Sequence, residues 1–242
     1  MQRFQLFLIR TGLFQIGRPF AALLSKLVWF IRLAEWVSRN RKIPFNDFPG
    51  STDYQKRYLL YTYLLENYLR DRPITYFEMG AADGETFGWW IGRVHHPDAR
   101  FYGFDTFEGL PEDWGIYKKG SFSNQGNIPV FNDPRCALYK GLFQDTLPPF
   151  LAGFTGSNQK LILLDADLYS STLFSLTAFA PFLQTGDILI FDEFFAPQHE
   201  FRAFHDFSQA YGHIKLKLIA AANNYTFTAF EVERPIRHLH PG

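Results

Sequence analysis

Acidic side chains recur in this sequence where short apolar segments end. Asp105 ends "RFYGFD", Asp165 follows "KLILL", and Asp192 with Glu193 follows "DILIF". If these segments are parallel strands, their carboxyl ends meet at one rim of a sheet. Carboxylates gathered there repel one another unless a cation or hydroxyl donors neutralise them. The pattern therefore predicts a site for a metal ion, a hydroxyl-rich ligand, or both.

The elements that would position these acids alternate from residue 74 onward. Five short, nearly continuous apolar runs are typical of strands buried on both faces of a parallel sheet: 74–79, 100–105, 136–141, 160–166 and 187–193. Two further runs, "IKLKLIA" and "YTFTAFEV", are separated by only a few residues and predict a hairpin. We predict an α/β fold with a doubly wound, mostly parallel seven-stranded sheet, a C-terminal antiparallel hairpin and N-terminal helices.

The turn after the first of these strands carries Gly80 and Gly84, and Asp105 lies 25 residues beyond Gly80. An acid about 20 residues past such a turn often receives ribose hydroxyls. The sequence lacks both GxGxxG and a Walker motif, which argues against a bound pyrophosphate. These features favour S-adenosylmethionine. In the alternative reading the glycines only ease a tight turn, and Asp105 only caps the turn through Thr106 and Phe107.

Several segments resemble the macrocin O-methyltransferase family between about residues 52 and 232. They are "FEMGAADGETF", "FYGFDTFEGLPEDW", "KGLFQDTLP", "LLDADLYSSTLFSL" and "GDILIFDEF". Members are class I S-adenosylmethionine enzymes that methylate sugars of macrolides and related metabolites. The resemblance implies that Glu78 and Gly80 lie near the methionine end of the cofactor, Asp105 at the ribose, and Phe143 or Gln144 near the adenine. The cofactor-binding residues predicted in this way are Glu78, Gly80, Ala81, Gly84, Asp105, Thr106, Phe107, Phe143 and Gln144.

A cation site is predicted at the ends of the fourth and fifth of these strands. Asp165, Asp192 and Glu193 would converge there, and an all-oxygen set suits Mg²⁺. Asp167 competes with Asp165 as the ligand. The resemblance implies that the metal holds a vicinal diol and lowers the pKa of its hydroxyl. A metal-independent methyltransferase of the same fold remains the alternative.

The predicted catalytic residues are Asp165 and His199. Catechol O-methyltransferase carries a lysine base three residues beyond its first metal aspartate, and Leu168 stands at the matching position here. The ordinary pKa of a histidine suits proton removal, and His199 follows the strand-end acids by a few residues. The same stretch also reads as the first turn of an ordinary helix.

The N-terminal part of the chain differs from the rest. We predict a helical segment and linker over 1–50 and a methyltransferase domain over 51–242. From Met1 to Phe45 there are eight Lys and Arg residues against one acid, Glu35. The basic amphipathic helix at 20–38 could pack on the domain, join a homo-oligomer, or contact an anionic membrane surface peripherally. The last reading also allows a membrane-peripheral binding protein with a degenerate methyltransferase fold.

The bulk composition limits the partners. Lys+Arg and Asp+Glu both total 24, so no global field points to nucleic acid. The single cysteine fits a reducing compartment, and no secretory signal is evident. Lys26, Arg32 and Glu35 argue against a membrane span at 20–37. We therefore predict a cytoplasmic enzyme, with peripheral membrane contact as an addition, acting on a small sugar-like acceptor.

Overall fold

A computed structural model describes residues 1–233, and the strands in that range form a single sheet. The strands are β1 Phe45–Asn46, β2 Ile74–Met79, β3 Arg100–Asp105, β4 Cys136–Lys140, β5 Gln159–Leu164, β6 Ile188–Phe191, β7 Lys215–Ala222 and β8 Phe227–Glu233. The helices are α1 Gln2–Thr11, α2 Phe14–Arg39, α3 Arg57–Leu64, α4 Glu85–Ile91, α5 Phe143–Ala152, α6 Tyr169–Phe179 and α7 Glu200–Ala210.

The strand order is β1-β7-β8-β6-β5-β2-β3-β4. β2 lies between β3 and β5 and is parallel to both, and β6 is parallel to β5. β8 is antiparallel to β6 and to β7. The predicted doubly wound, mostly parallel sheet with a C-terminal antiparallel hairpin is therefore confirmed. The chain runs outward from β2 to β4 and then returns to β5, so the topological switch point lies between β2 and β5.

The sheet has one strand more than predicted. β1 lies within residues 1–50, which we predicted to contain helices and a linker, and pairs in parallel with β7 through Phe45–Ala220 and Asn46–Ala221. A strand of two residues is too short to show an alternating pattern. The division into 1–50 and 51–242 remains a prediction, and residues 234–242 lie outside the described part of the chain.

Helices cover both faces of the sheet. Leu161 and Leu163 of β5 belong to one hydrophobic cluster, and Ile162 and Leu164 belong to the other. The first cluster includes side chains of α3 and α4, and the second includes side chains of α2, α5, α6 and α7. Because successive strand residues point to opposite faces, this division explains why the strands are apolar throughout.

The second half of α2 packs on the core along one side. Trp29, Leu33 and Val37 recur every helical turn and are all buried. The ring centroid of Trp36 lies 4.9 Å from that of Phe194. Packing on the domain thus accounts for one side of the N-terminal helix that the sequence predicted.

The first half of α2 and all of α1 contribute little to this core. None of the side chains of α1 is buried, and Phe20, Leu24 and Leu27 of α2 are each more than half exposed. Within residues 1–233, no helix combines the length and the hydropathy that crossing a bilayer requires.

Replacing Leu33 by Ala tests which side of α2 is attached. Leu33 is 1% exposed, so the substitution should lower the free energy of unfolding by about 2–5 kcal/mol. Leu27→Ala is the matched control on the same helix, because Leu27 is 51% exposed and its loss should cost little. Urea unfolding followed by circular dichroism measures both. Equal effects of the two substitutions would contradict this packing.

Candidate functional site

Backbone hydrogen bonds join the strand ends into one rim. The Gly80 amide donates to the Phe104 carbonyl at 2.9 Å, and the Asp165 amide donates to the Met79 carbonyl at 3.0 Å. The Asp192 amide donates to the Leu164 carbonyl at 3.0 Å. Because these bonds continue the parallel ladder past the strands, the acids of three strands lie at the same edge, as the sequence predicted.

Gly80 lies where the backbones of the two central strands approach most closely. Its φ is +104°, and a Cβ added there would lie 1.8 Å from the carbonyl oxygen of Asp165. No side chain fits in that gap. A glycine is therefore required for the ends of β2 and β5 to pack this closely at the switch point, and Gly80 lines the cavity that opens there.

A cavity of about 690 Å³ opens at this rim. The predicted site residues that line it are Gly80, Asp105, Thr106, Phe143, Gln144, Asp165, Asp192 and Glu193. The predicted site residues that do not line it are Glu78, Ala81, Gly84, Phe107 and His199. The sequence thus predicted the rim correctly. Five of the predicted site residues, however, do not line the cavity.

Asp105 fixes two turns as well as lining the cavity. One carboxylate oxygen accepts from the Ala82 amide at 2.9 Å, and the other accepts from the Phe107 amide at 2.5 Å. Ala82 and Phe107 both have positive φ, at 42° and 55°. The turn-capping role that the sequence left open for Asp105 is therefore real, and it coexists with exposure to the cavity.

Glu78 is completely buried behind the cavity. Tyr76 donates a hydrogen bond to it at 2.5 Å, and the Thr86 hydroxyl donates to its other oxygen. Burial raises the pKa of Glu78 to about 8, although these two donors oppose the rise. Its contacts make it a link between β2 and α4.

The other predicted residues off the cavity also have structural neighbours. A Cβ on Gly84 would lie 2.7 Å from the Phe131 ring, so a glycine is required where α4 begins. Ala81 is 2% exposed and Phe107 is 1% exposed.

Four carboxyl groups crowd the opposite part of the cavity: those of Asp165, Asp167, Asp192 and Glu193. Burial raises the pKa of Asp165, Asp167 and Asp192, and the neighbouring carboxylates raise it further. Burial also raises the pKa of Glu193, to about 7. Negative charge is therefore unfavourable in this corner without a cation.

Arg57 is the cation that contacts this group, and the sequence analysis missed it. Its Nη2 lies 3.1 Å from Asp192 Oδ2, and its Nη1 lies 3.8 Å from Asp165 Oδ2. Although burial opposes its charge, the two aspartates raise the pKa of Arg57. Arg57 sits in the first turn of α3, far from either aspartate in the chain. The number of acids at the rim predicts a positively charged partner, but nothing in the sequence shows that Arg57 provides it.

Buried polar groups remain unsatisfied around the acids. Asp192 is 2% exposed, and its Oδ1 has no hydrogen-bond partner. Glu200 is fully buried and accepts from the Glu193 amide at 2.9 Å through Oε2, while its Oε1 has no partner. Within residues 1–233, no three His, Cys, Asp or Glu side chains are arranged so that they could hold a metal ion.

The connection between β3 and β4, residues 106–135, covers the cavity. Trp114 and Tyr117 line it with their rings stacked at 5.3 Å. Glu112 accepts a hydrogen bond of 2.7 Å from Ser170 of α6, which joins this lid to the opposite wall.

His199 lies behind the lid at the beginning of α7. Its ring is edge-on to Trp114, with centroids 6.3 Å apart, and its Nδ1 has no partner. Burial lowers the pKa of His199. The catalytic role suggested for it remains a prediction, because His199 does not line the cavity, although the Trp114 ring that it contacts does.

Glu78→Gln should change how stability depends on pH. The folded-state pKa of Glu78 is raised from 4.5 to about 8, so proton binding stabilises the fold fully below pH 4.5. This contribution is lost as the pH rises through about 8, by on the order of 4 kcal/mol. Glutamine does not titrate, so the variant should gain stability relative to wild type over that interval.

Urea unfolding at a series of pH values measures this difference. Glu66→Gln is the control, because Glu66 is exposed. The other buried acids are common to all three proteins and cancel in the comparison. Parallel curves for wild type and Glu78→Gln would contradict the assigned burial effect.

Comparison with solved structures shows the fold. CalS11, a calicheamicin methyltransferase, is 21% identical with a TM-score of 0.56, covering 86% of this chain and 92% of that chain. The O-methyltransferase NovP is 17% identical with a TM-score of 0.54, covering 87% of this chain and 99% of that chain. Both are similar to this chain across most of its length. No curated protein sequence matches it significantly.

A family model gives the more specific match. The model described as macrocin-O-methyltransferase (TylF) matches residues 91–224, which is more than half of the chain. That range contains β3 to β7 and the lid, and therefore Asp105 and the four crowded carboxyl groups. The chain belongs to the macrocin O-methyltransferase family and is an S-adenosylmethionine-dependent O-methyltransferase.

Proposed function

We propose that this enzyme methylates a hydroxyl of a sugar or glycosylated metabolite with the help of Mg²⁺. Because no three acids in the described part of the chain are arranged to hold the ion by themselves, Mg²⁺ would take one or two ligands from Asp165, Asp192 and Glu193 and the rest from water and the acceptor. The observation that carries the proposal is the single cavity that joins Asp105 to these acids beneath an aromatic lid. In the reaction the acceptor oxygen forms a bond to the methyl carbon as the bond from that carbon to sulfur breaks. The hydroxyl proton leaves to a base.

The cofactor half of the cavity is proposed to lie around Asp105. Its two oxygens each accept one backbone amide and retain lone pairs that could accept ribose hydroxyls. Phe143 and Gln144 line the same cavity at the beginning of α5 and offer an apolar surface and an amide to the adenine. Gly80 also lines this cavity, and the methionine end is proposed to lie beside it.

The acceptor half is proposed to lie between the four carboxyl groups and the lid. Sugar hydroxyls are donors that such carboxylates can accept, and the faces of Trp114 and Tyr117 suit an apolar sugar face. CalS11 is described as a TDP-rhamnose 3'-O-methyltransferase in calicheamicin biosynthesis. TDP-rhamnose is therefore a reasonable first acceptor to test.

The donor chemistry of the rim fits a hard divalent cation. The residues supply carboxylate oxygens, the buried Asp192 Oδ1 lacks a partner, and one arginine faces four acids. When bound, Mg²⁺ would lower the pKa of an acceptor hydroxyl and hold its oxygen. Asp167 lines the cavity beside these acids, and burial together with the neighbouring carboxylates raises its pKa to about 8, which makes it our preferred proton acceptor.

One observation favours the metal-independent alternative. Arg57 already contacts both Asp165 and Asp192, so its guanidinium supplies a fixed positive charge where a cation would act. In that version the acids position Arg57, and Arg57 orients the acceptor hydroxyl. A single substitution at Arg57 distinguishes the two versions when it is combined with chelation.

Calorimetric titration of S-adenosylmethionine and S-adenosylhomocysteine tests the cofactor half. Asp105→Asn should weaken binding about 10- to 100-fold, because hydrogen bonds to a charged carboxylate are each worth about 1.5–3 kcal/mol. Asp98→Asn is the control, because the Asp98 side chain is 74% exposed. Circular dichroism checks that the variant keeps its fold. Equal affinity in a folded Asp105→Asn protein would contradict the assignment.

Methyl transfer to TDP-rhamnose and related nucleotide sugars, with Mg²⁺ and with chelator, tests the metal. We expect chelator to abolish transfer, and direct titration of Mg²⁺ to show binding that Asp192→Asn removes. Arg57→Gln should then retain part of the activity. Full activity in chelator together with an inactive Arg57→Gln protein would instead establish the metal-independent version.

A further inference from the structure

Within residues 1–233, an apolar face of the N-terminal helices has no partner. Phe20, Leu24, Leu27 and Ile31 recur at spacings of four, three and four residues, so they form one row along α2. All four are more than half exposed, and α1 adds further exposed apolar side chains such as Phe4 and Ile9. A contiguous face of this size on a protein surface normally marks an interaction site.

The opposite side of α2 is already used. Trp29 and Leu33 of the packed side are 9% and 1% exposed, and they lie in the core cluster shared with the sheet. Gln198 donates to Ser25 at 3.1 Å and adds a polar attachment. The exposed row is thus held on a helix anchored to the domain, and folding of α2 onto the domain cannot bury it.

The charged residues beside this row indicate what kind of partner binds it. Residues 1–45 contain eight basic residues and one acid, Glu35, which is ion-paired with Arg39 at 2.5 Å. By helical periodicity, Lys26 and Arg32 flank the exposed row on its two sides. An apolar row between basic side chains matches the boundary of an anionic bilayer, where the apolar face enters the acyl region and the cations meet the headgroups.

A second copy of the chain is a poorer match. In a two-fold symmetric contact the same patch meets itself, so the excess positive charge of one segment would oppose that of the other. An anionic surface removes this repulsion and gains from each cation. We propose that α1 and α2 dock this enzyme peripherally on anionic membranes, with the row at Phe20–Ile31 in the interface.

Vesicle co-sedimentation of the full-length protein tests the proposal without any use of methyl transfer. We expect binding to phosphatidylcholine vesicles containing phosphatidylglycerol, weaker binding at high salt, and little binding to phosphatidylcholine alone. Leu24→Glu combined with Leu27→Glu should weaken binding by roughly 100-fold or more, because two apolar side chains leave the acyl region. Arg18→Glu combined with Lys26→Glu should weaken it by roughly tenfold.

Val130→Glu is the matched control, because Val130 is 94% exposed but lies outside the N-terminal helices. It should bind vesicles like wild type. Circular dichroism of each variant checks folding, and all substituted positions are exposed. Equal binding to neutral and anionic vesicles, or no binding to either, would overturn the proposal. A dimer that the leucine substitutions convert to a monomer, without vesicle binding, would assign the row to a second copy.

Discussion

The excess of negative charge at one corner of the sheet governs the rest of this site. Asp165, Asp167, Asp192 and Glu193 line the same cavity, and burial raises the pKa of each. Such a group is stable only if some of its members bind protons or a positive charge is brought to it. Arg57 provides that charge from α3, and this ion pairing ties α3 to the ends of β5 and β6. The same excess makes the cavity receptive to a cation and to hydroxyl-rich ligands.

A rigid scaffold keeps these charges together despite their repulsion. The rim is built from backbone hydrogen bonds between adjacent parallel strands. At Gly80 the backbone comes so close to that of Asp165 that no side chain fits between them. The lid is built differently, from turns with positive φ and from stacked rings. Rigid strands therefore fix the acids, while a long connection shapes the space above them. Binding residues are often carried by loops that a rigid scaffold positions.

The N-terminal helix shows how one element can serve two environments. Its packed side contributes Leu33 to the domain core, and its opposite side exposes a row of equally apolar residues. Burial against the domain stabilises the first side, whereas the second can be stabilised only by something outside the described chain. The basic residues around it set the electrostatic character of that partner.

The order of residue types along the chain was enough to predict the parallel sheet, one short strand apart, and the position of the site. Apolar strands that end in acids predicted a parallel sheet with a charged rim, because the side-chain period and the direction of parallel strands are local consequences of sequence. Asp105, Asp165 and Asp192 followed from that reasoning. Folding brought Arg57 to the acids, placed Glu78 between Tyr76 and Thr86, and left His199 outside the cavity lining. These outcomes depend on contacts between distant segments, and no local pattern of residues encodes them.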